Sequence, residues 1–470
     1  MHTPRDPGPT ARRSTAASSA RRNAPLPLAV TCLGVTALLL SGCAQGGGAA
    51  SSSSASPSAK ATPAAKEVSH LAPRAVLAYE GGLLTVDTES GEVVEDVAED
   101  GFLRLNDAGD GRHVMVSDGD EFKVFDTGLE AQAHGDHHHY YESAPGLTGR
   151  AFAAPHAGHV VVHDGKTTLF GDGDGSIQTF ESGALQEKGE PSVEKRTTKA
   201  PHHGVALKLS DGTLFTTQGT EDERHTAQVL APDGSVRAET TDCPGVHGEA
   251  AAAPGKRTDT VMVGCENGPV VYRDGAFHKV PVKDAYARSG NLAGSEASPI
   301  VLGDYKVDKD AEHEHPTRVA LFDTRNDSHK LVELGSSYWF RSLARGPHGE
   351  GLVLTYDGKL AVIEPNTGKI TKRIPVISPW QEKDDWQQAG PAVKVTGDKA
   401  YVTDAEHRKL HVVDLGAGTV AKSIDLPQTP VELAVTTGKP HGAGAASGGG
   451  HSHGTCLLYT SDAADDQSTV

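Results

Sequence analysis

Histidine is the residue type in this chain with the most chemical potential: 24 of the 470 residues are His, and neutral imidazole is the commonest metal ligand among side chains. Three groups carry a usable spacing: His134-Gly135-Asp136-His137-His138-His139, Pro201-His202-His203-Gly204, and His247-Gly248. His203-Gly204-Val205-Ala206 and His247-Gly248-Glu249-Ala250 share a register, 44 residues apart. Zinc takes four ligands in tetrahedral array, and His134 or His137 with Asp136, His203 and His247 would supply them without any Cys. Copper and nickel also accept imidazole, so the ligands alone leave the metal open. His138, His139 and His202, spare imidazoles beside that set, are candidates for a secondary metal site. His313 and His315, and the tail residues His441, His451 and His453, are candidates for a secondary site, although His313 and His315 also suit a solvated hairpin tip. His156, His159, His163, His407 and His411 read as ordinary strand or loop positions. The plain alternative for the main set is a solvated turn at 134–139, with His203 and His247 as hydrogen-bonded structural residues.

Such groups must be held by a scaffold, and the chain suggests one. Hydrophobic residues make up 37% and aromatics 5%, with 54 Gly and 27 Pro, a composition suited to many short strands joined by turns. Alternating apolar runs end repeatedly in Asp-Gly, as at Asp118-Gly119, Asp164-Gly165, Asp211-Gly212 and Asp357-Gly358, a strong hairpin signal. Innermost strands are expected to begin near Leu103, Ala151, Val205, Glu249, Leu292, Arg341, Ala392 and Glu432. That spacing of about 40 to 55 residues matches four strands per blade of a β-propeller. The all-β reading is therefore a single propeller over 73–437, with eight blades, or seven if the weak repeat around 290–335 is miscounted. The strands of residues 75–97 would close the last blade. His134–His139, His203 and His247 each precede an expected inner strand, so they are expected to meet at one channel mouth.

The flanks address the protein to a compartment. Arg12, Arg13, Arg21 and Arg22 precede the apolar run Leu28–Leu40, which ends in Leu40-Ser41-Gly42-Cys43, the order of a bacterial lipoprotein signal over 1–42 with Cys43 lipidated. Residues 43–72 then read as the lipidated Cys and a flexible Gly/Ala/Ser/Pro tether. The body is expected outside the cytoplasm, anchored to the membrane by lipid alone. In an oxidising exterior Cys243 and Cys265, 22 residues apart, are expected to form a disulfide. Net charge is −18, and −22 without the Arg-rich leader, which excludes nucleic acid as a natural partner. Residues 438–454 read as a Gly/His-rich flexible tail. Residues 455–470, beginning at Thr455-Cys456, resemble translated adapter DNA and are given no role.

An ordered set of motifs carries a family resemblance: His-Gly-Asp-His at 134–137, Pro201-His202-His203-Gly204, Cys243-Pro244-Gly245-Val246-His247-Gly248-Glu249, Trp339-Phe340-Arg341 with Leu343-Ala344-Arg345-Gly346, Asp385-Trp386-Gln387-Gln388, and Tyr401-Val402-Thr403-Asp404. In this order the body resembles the AztD family of bacterial zinc metallochaperones. The resemblance implies a propeller that binds zinc and passes it, without being an enzyme, to the zinc-specific solute-binding protein of an ABC importer. The chain departs from it in its lipid anchor and in a tether that lacks a His-rich segment. A monomer is expected. Two other functions compete: a metal-dependent propeller hydrolase of lactonase or esterase type with Glu249 as general base, and a surface scaffold that merely stores zinc.

Overall fold

The computed structural model describes residues 65–255, 259–311 and 313–439. Alternating apolar residues and tight turns generate the strands as expected. At Asp164-Gly165 and Asp274-Gly275 both central residues take positive φ, the conformation a type I′ hairpin turn needs and the one Asp-Gly tolerates.

Among the described residues the strands form eight four-stranded antiparallel sheets, the blades of a β-propeller. Their innermost strands, in ring order, are Glu432–Thr436, Arg104–Asp107, Ala157–His163, Ala206–Lys208, His247–Ala252, Leu292–Ala293, Leu343–Arg345 and Val393–Thr396. These define blades 1 to 8. Blade 1 closes the ring: its inner strand comes from the end of the body and pairs with Arg74–Tyr79, in register from Arg74 opposite Thr436 to Ala78 opposite Glu432. The count is eight, since the segment around 290–335 forms a complete blade 6. The core sits between blades: Leu207, Phe215 and Val229 of blade 4 pack with Val261 and Val263 of blade 5, and Ala75, Leu77 and Leu84 of blade 1 with Tyr401 and Leu410 of blade 8. Cys243 and Cys265 are joined by a disulfide across the blade 4–blade 5 boundary.

Two expectations need correction. Ala151 does not begin an inner strand; it lies in Gly146–Ala153, the outer strand of blade 2, and the inner strand of blade 3 starts at Ala157. The displacement arises because Leu129–His134 and His137–Glu142 form an extra hairpin between the third and fourth strands of blade 2. Residues 66–68, expected within the tether, are a strand that pairs with this hairpin, Lys66 opposite Glu142 and Val68 opposite Tyr140. No helix among the described residues is long and apolar enough to cross a membrane. The leader at 1–42, Cys43, and the tail and terminal segments from 440 onward lie outside the described residues.

Candidate metal centres

Each inner strand starts at the face where the preceding blade's outer strand hands over to it. At that face blades 3, 4 and 5 each contribute one imidazole: His159, His203 and His247, at successive intervals of 44 residues. His159 and His247 are buried, and the His203 side chain is 13% exposed. His159 Nε2 and His203 Nε2 are 3.4 Å apart, and the His203 and His247 rings have centroids 5.2 Å apart. A tetrahedron with Zn–N arms of about 2.0–2.1 Å has edges of about 3.3–3.4 Å, so the first pair already has the separation of two ligands on one ion.

The groups behind the rings decide which nitrogen faces inward. His203 Nδ1 donates to Asp172 Oδ2 at 2.6 Å, and His247 Nδ1 donates to the Gly290 carbonyl at 3.0 Å. A carboxylate or carbonyl oxygen only accepts, so in the neutral rings the proton sits on Nδ1 and the lone pair on Nε2. His159 Nδ1 faces the fully buried Glu249 carboxylate at 3.5 Å. An acceptor on the far nitrogen, fixing tautomer and orientation, is the usual outer shell of a His metal ligand, and His203 and His247 each have one.

Local backbone features serve this arrangement. Gly248, at φ +67°, makes a bulge in which His247 and Glu249 oppose the consecutive pair Gly264 and Val263; a side chain there would strike the Gly290 carbonyl that orients His247. Gly158 leaves room for the Asp172 carboxylate, which a Cβ would displace. The disulfide fastens Cys243, four residues before His247, to Cys265 at the end of the neighbouring strand. Beside His247 a cavity of about 110 Å³ opens, lined among others by Asn291, Asp304, His313, Glu314 and Trp386.

The loop of residues 134–139 does not join this centre. The third strand of blade 2, Glu121–Asp126, ends at the face opposite the one where inner strands begin, and the inserted hairpin emerges there. Expectation of a single site shared by His134, Asp136, His137, His203 and His247 is therefore corrected to two separate groups. On the hairpin, ligand atoms of His134, His137 and His139 lie within 4.8 Å of one another. His134 Nδ1 is 3.4 Å and His139 Nε2 3.2 Å from His137 Nε2, again tetrahedral edges. Outer-shell carboxylates recur here: Asp136 accepts from His137 Nδ1 at 3.2 Å and Glu67, from the 66–68 strand, accepts from His139 Nδ1 at 2.7 Å. Asp136 thus stands behind a ring and is not among the clustered ligand atoms.

The remaining candidates fall elsewhere. His138 stacks on Tyr140. His202 is buried, with Nδ1 on the Ala200 carbonyl and Nε2 on Thr217 Oγ1, and burial pushes its imidazole pKa down; it is a satisfied structural residue and is removed from the secondary set. His315 Nδ1 meets Glu382 and the Tyr356 hydroxyl, whereas His313 lines the cavity beside His247. His441, His451 and His453 lie outside the described residues. Trp339 is buried, its indole N–H donating to the Pro391 carbonyl, and it also borders the cavity with Trp386.

The residue that sequence reasoning missed is His159, passed over as an ordinary strand position. Its signal was present: it stands one 44-residue step before His203, as His203 does before His247. Asp172, far from any His motif in sequence, carried no such signal.

No family model matches the chain. A curated protein, the zinc chaperone AztD of Citrobacter koseri, is 26% identical over 328 residues, which cover 67% of this chain and 74% of that protein. Among solved structures, a crystal structure of Citrobacter koseri AztD aligns with a TM-score of 0.67 at 24% identity, covering 78% of this chain and 98% of that one. The apo form of the same protein aligns with a TM-score of 0.66 at 23% identity and the same coverage. The resemblance to AztD is borne out. Like AztD, the chain is a propeller.

Proposed function

We propose that the chain is an extracytoplasmic zinc metallochaperone: it holds zinc at His159, His203 and His247, takes a second ion at His134, His137 and His139, and delivers zinc to the solute-binding protein of an ABC importer. The observation that carries this reading is the channel trio, three imidazoles from three consecutive blades whose Nδ1 atoms face Glu249, Asp172 and the Gly290 carbonyl. The similar curated protein is named a zinc chaperone, which favours zinc over the other metals that imidazole accepts. Glu249 stands on the Nδ1 side of His159. It there orients a ligand, which supports carriage over the hydrolase reading, where it would have to face bound water. Lipidation at Cys43, the tether and a monomeric state belong to the same proposal.

Transfer separates a chaperone from a store. Zinc-loaded protein is mixed with an apo zinc solute-binding protein or with a non-interacting chelator, and zinc movement is timed. Faster arrival at the binding protein than at the chelator is the expected result; equal rates would leave a zinc-storing lipoprotein.

A further inference from the structure

Three of four consecutive blades place His at the same repeat position. One further 44-residue step from His247 reaches Asn291, at the threshold of the blade 6 inner strand Leu292–Ala293. The register is held firmly. Asp304, buried to 2% exposure, accepts from the backbone N–H of Gly290 at 2.8 Å and of Asn291 at 3.0 Å, and the Asn291 carbonyl in turn accepts from Asp304 N–H. The same short segment supplies the Gly290 carbonyl that fixes His247. Asn291 Oδ1 is buried and meets no hydrogen-bond donor among the described residues. Asn291 and His247 border the same cavity, with His313, Glu314 and Glu382 farther along its wall.

We propose that Asn291 Oδ1 is the exchangeable fourth donor of the channel centre, and that zinc enters and leaves at this corner through the cavity beside His247. This rests on the reading of His159, His203 and His247 as zinc ligands. The chemistry follows from the donor type. A neutral amide oxygen binds zinc more weakly than imidazole, whose basicity here is raised by the acceptors behind it. It also takes up no proton when it lets go, so an incoming donor can replace it without waiting for proton transfer. A ring with imidazole at three positions and an amide at the fourth holds its ion well and gives it up at one defined place. The cavity opens at that place, and its wall continues with an imidazole and two carboxylates that can receive a departing cation. Asp304 acts as a positioning residue for both Asn291 and the carbonyl behind His247.

The test compares the full chain with Asn291→Ala and Asn291→His, reading zinc release to a chelator and the visible spectrum of the cobalt(II)-substituted channel centre. Asn291→Ala is expected to release zinc about tenfold faster, and Asn291→His about tenfold slower, with the cobalt bands of both shifted from those of the parent. His203→Ala and His247→Ala are run beside them. If those two lose channel zinc while both Asn291 variants match the parent in rate and spectrum, this inference is overturned and the metal centre stands. If His203→Ala and His247→Ala keep channel zinc, the metal centre itself is wrong. Retention of the slow-release phenotype in Asn291→His, which adds a ligand instead of removing one, guards against reading a folding defect as a result.

Discussion

The two His clusters use the same ligand chemistry in opposite structural settings. The hairpin group is local: His134, His137 and His139 lie within six residues, on the surface, braced by one neighbour, Asp136, and one distant residue, Glu67. The channel group is long-range, with candidate ligands 88 residues apart at its ends, each ring backed by a partner from another turn of the chain. Preorganisation therefore has different costs. A surface hairpin can rearrange its rings to meet or release an ion, whereas the channel rings are set by blade packing before any ion arrives. The expected division of labour is fast, weak exchange on the hairpin and slow, tight holding in the channel.

The largest expected effect separates the two directly. His159→Ala, His203→Ala or His247→Ala should each weaken the tight zinc by more than about 100-fold, beyond the range found for outer-shell changes, while one weaker equivalent remains. His137→Ala should do the converse, removing the weaker equivalent and sparing the tight one, and His138→Ala should do neither. Calorimetric titration reads both. Loss of the tight ion in His137→Ala would merge the clusters into one site and end the comparison.

A smaller effect sharpens it. Asp172→Asn keeps the shape behind His203 but weakens the acceptor, and should lower channel affinity about 10- to 100-fold. Glu67→Gln, on an exposed ring, should cost the hairpin less, because water can replace the lost acceptor. Competition with a fluorescent chelator gives both constants. Equal losses would mean that burial contributes nothing to the outer shell.

Acid should act on both clusters, since zinc requires neutral imidazole. With a reference His pKa of about 6.5, binding is expected to weaken as pH falls through roughly 6.5 to 5, where protons compete for the ligands. Carboxylates, with reference values near 4, would leave affinity flat in that window. A flat profile would remove His from the ligand set.

The smallest effect distinguishes metal loss from loss of fold. Asp259 ties three blades: its carboxylate faces His163 at 3.3 Å and accepts from Ser210 N–H and Oγ–H. Burial acts to raise its pKa, but the bond and charge of His163 and the Ser210 bonds prevail and hold it at about 2. A depressed folded pKa gives stability that is present above the unfolded value near 3.8 and lost as pH falls toward 2, on the order of 2 kcal/mol. Chemical denaturation across pH 4.5 to 2 should show that slope in the parent and a flatter one in Asp259→Asn. A decline beginning already near pH 6 would tie fold to metal loss.

Most of the architecture could be read from period and turn chemistry, because every blade repeats one pattern of alternation and Asp-Gly hairpins. The error at Ala151 came from one insertion: the 129–142 hairpin pushes the outer strand of blade 2 to where an inner strand was due. That single shift moved His134–His139 to the wrong face and hid His159. His203 and His247 were legible because both are followed by Gly, Gly248 for a bulge at positive φ and Gly204 for the close approach of His202, Phe170 and Thr217, whereas His159 is followed by Val160. Asp172 and the Gly290 carbonyl act through space from other strands, and no local pattern marks them. The hairpin His residues were legible as a candidate metal-binding run because contiguous His need no fold to be recognised.

Ring closure by Glu432–Thr436 has a consequence for how the protein is made. Arg74–Tyr79 is synthesised near the start of the body, yet the strand that covers it arrives more than 350 residues later. Until then the nascent chain carries an open apolar strand edge that can accept a strand from a neighbouring molecule, the first step of domain swapping or aggregation. His159, His203 and His247, by contrast, lie on three consecutive blades in the middle of the chain. Those blades can assemble before the ring shuts, so an ion caught early could brace a half-made propeller while its final strand is still to come.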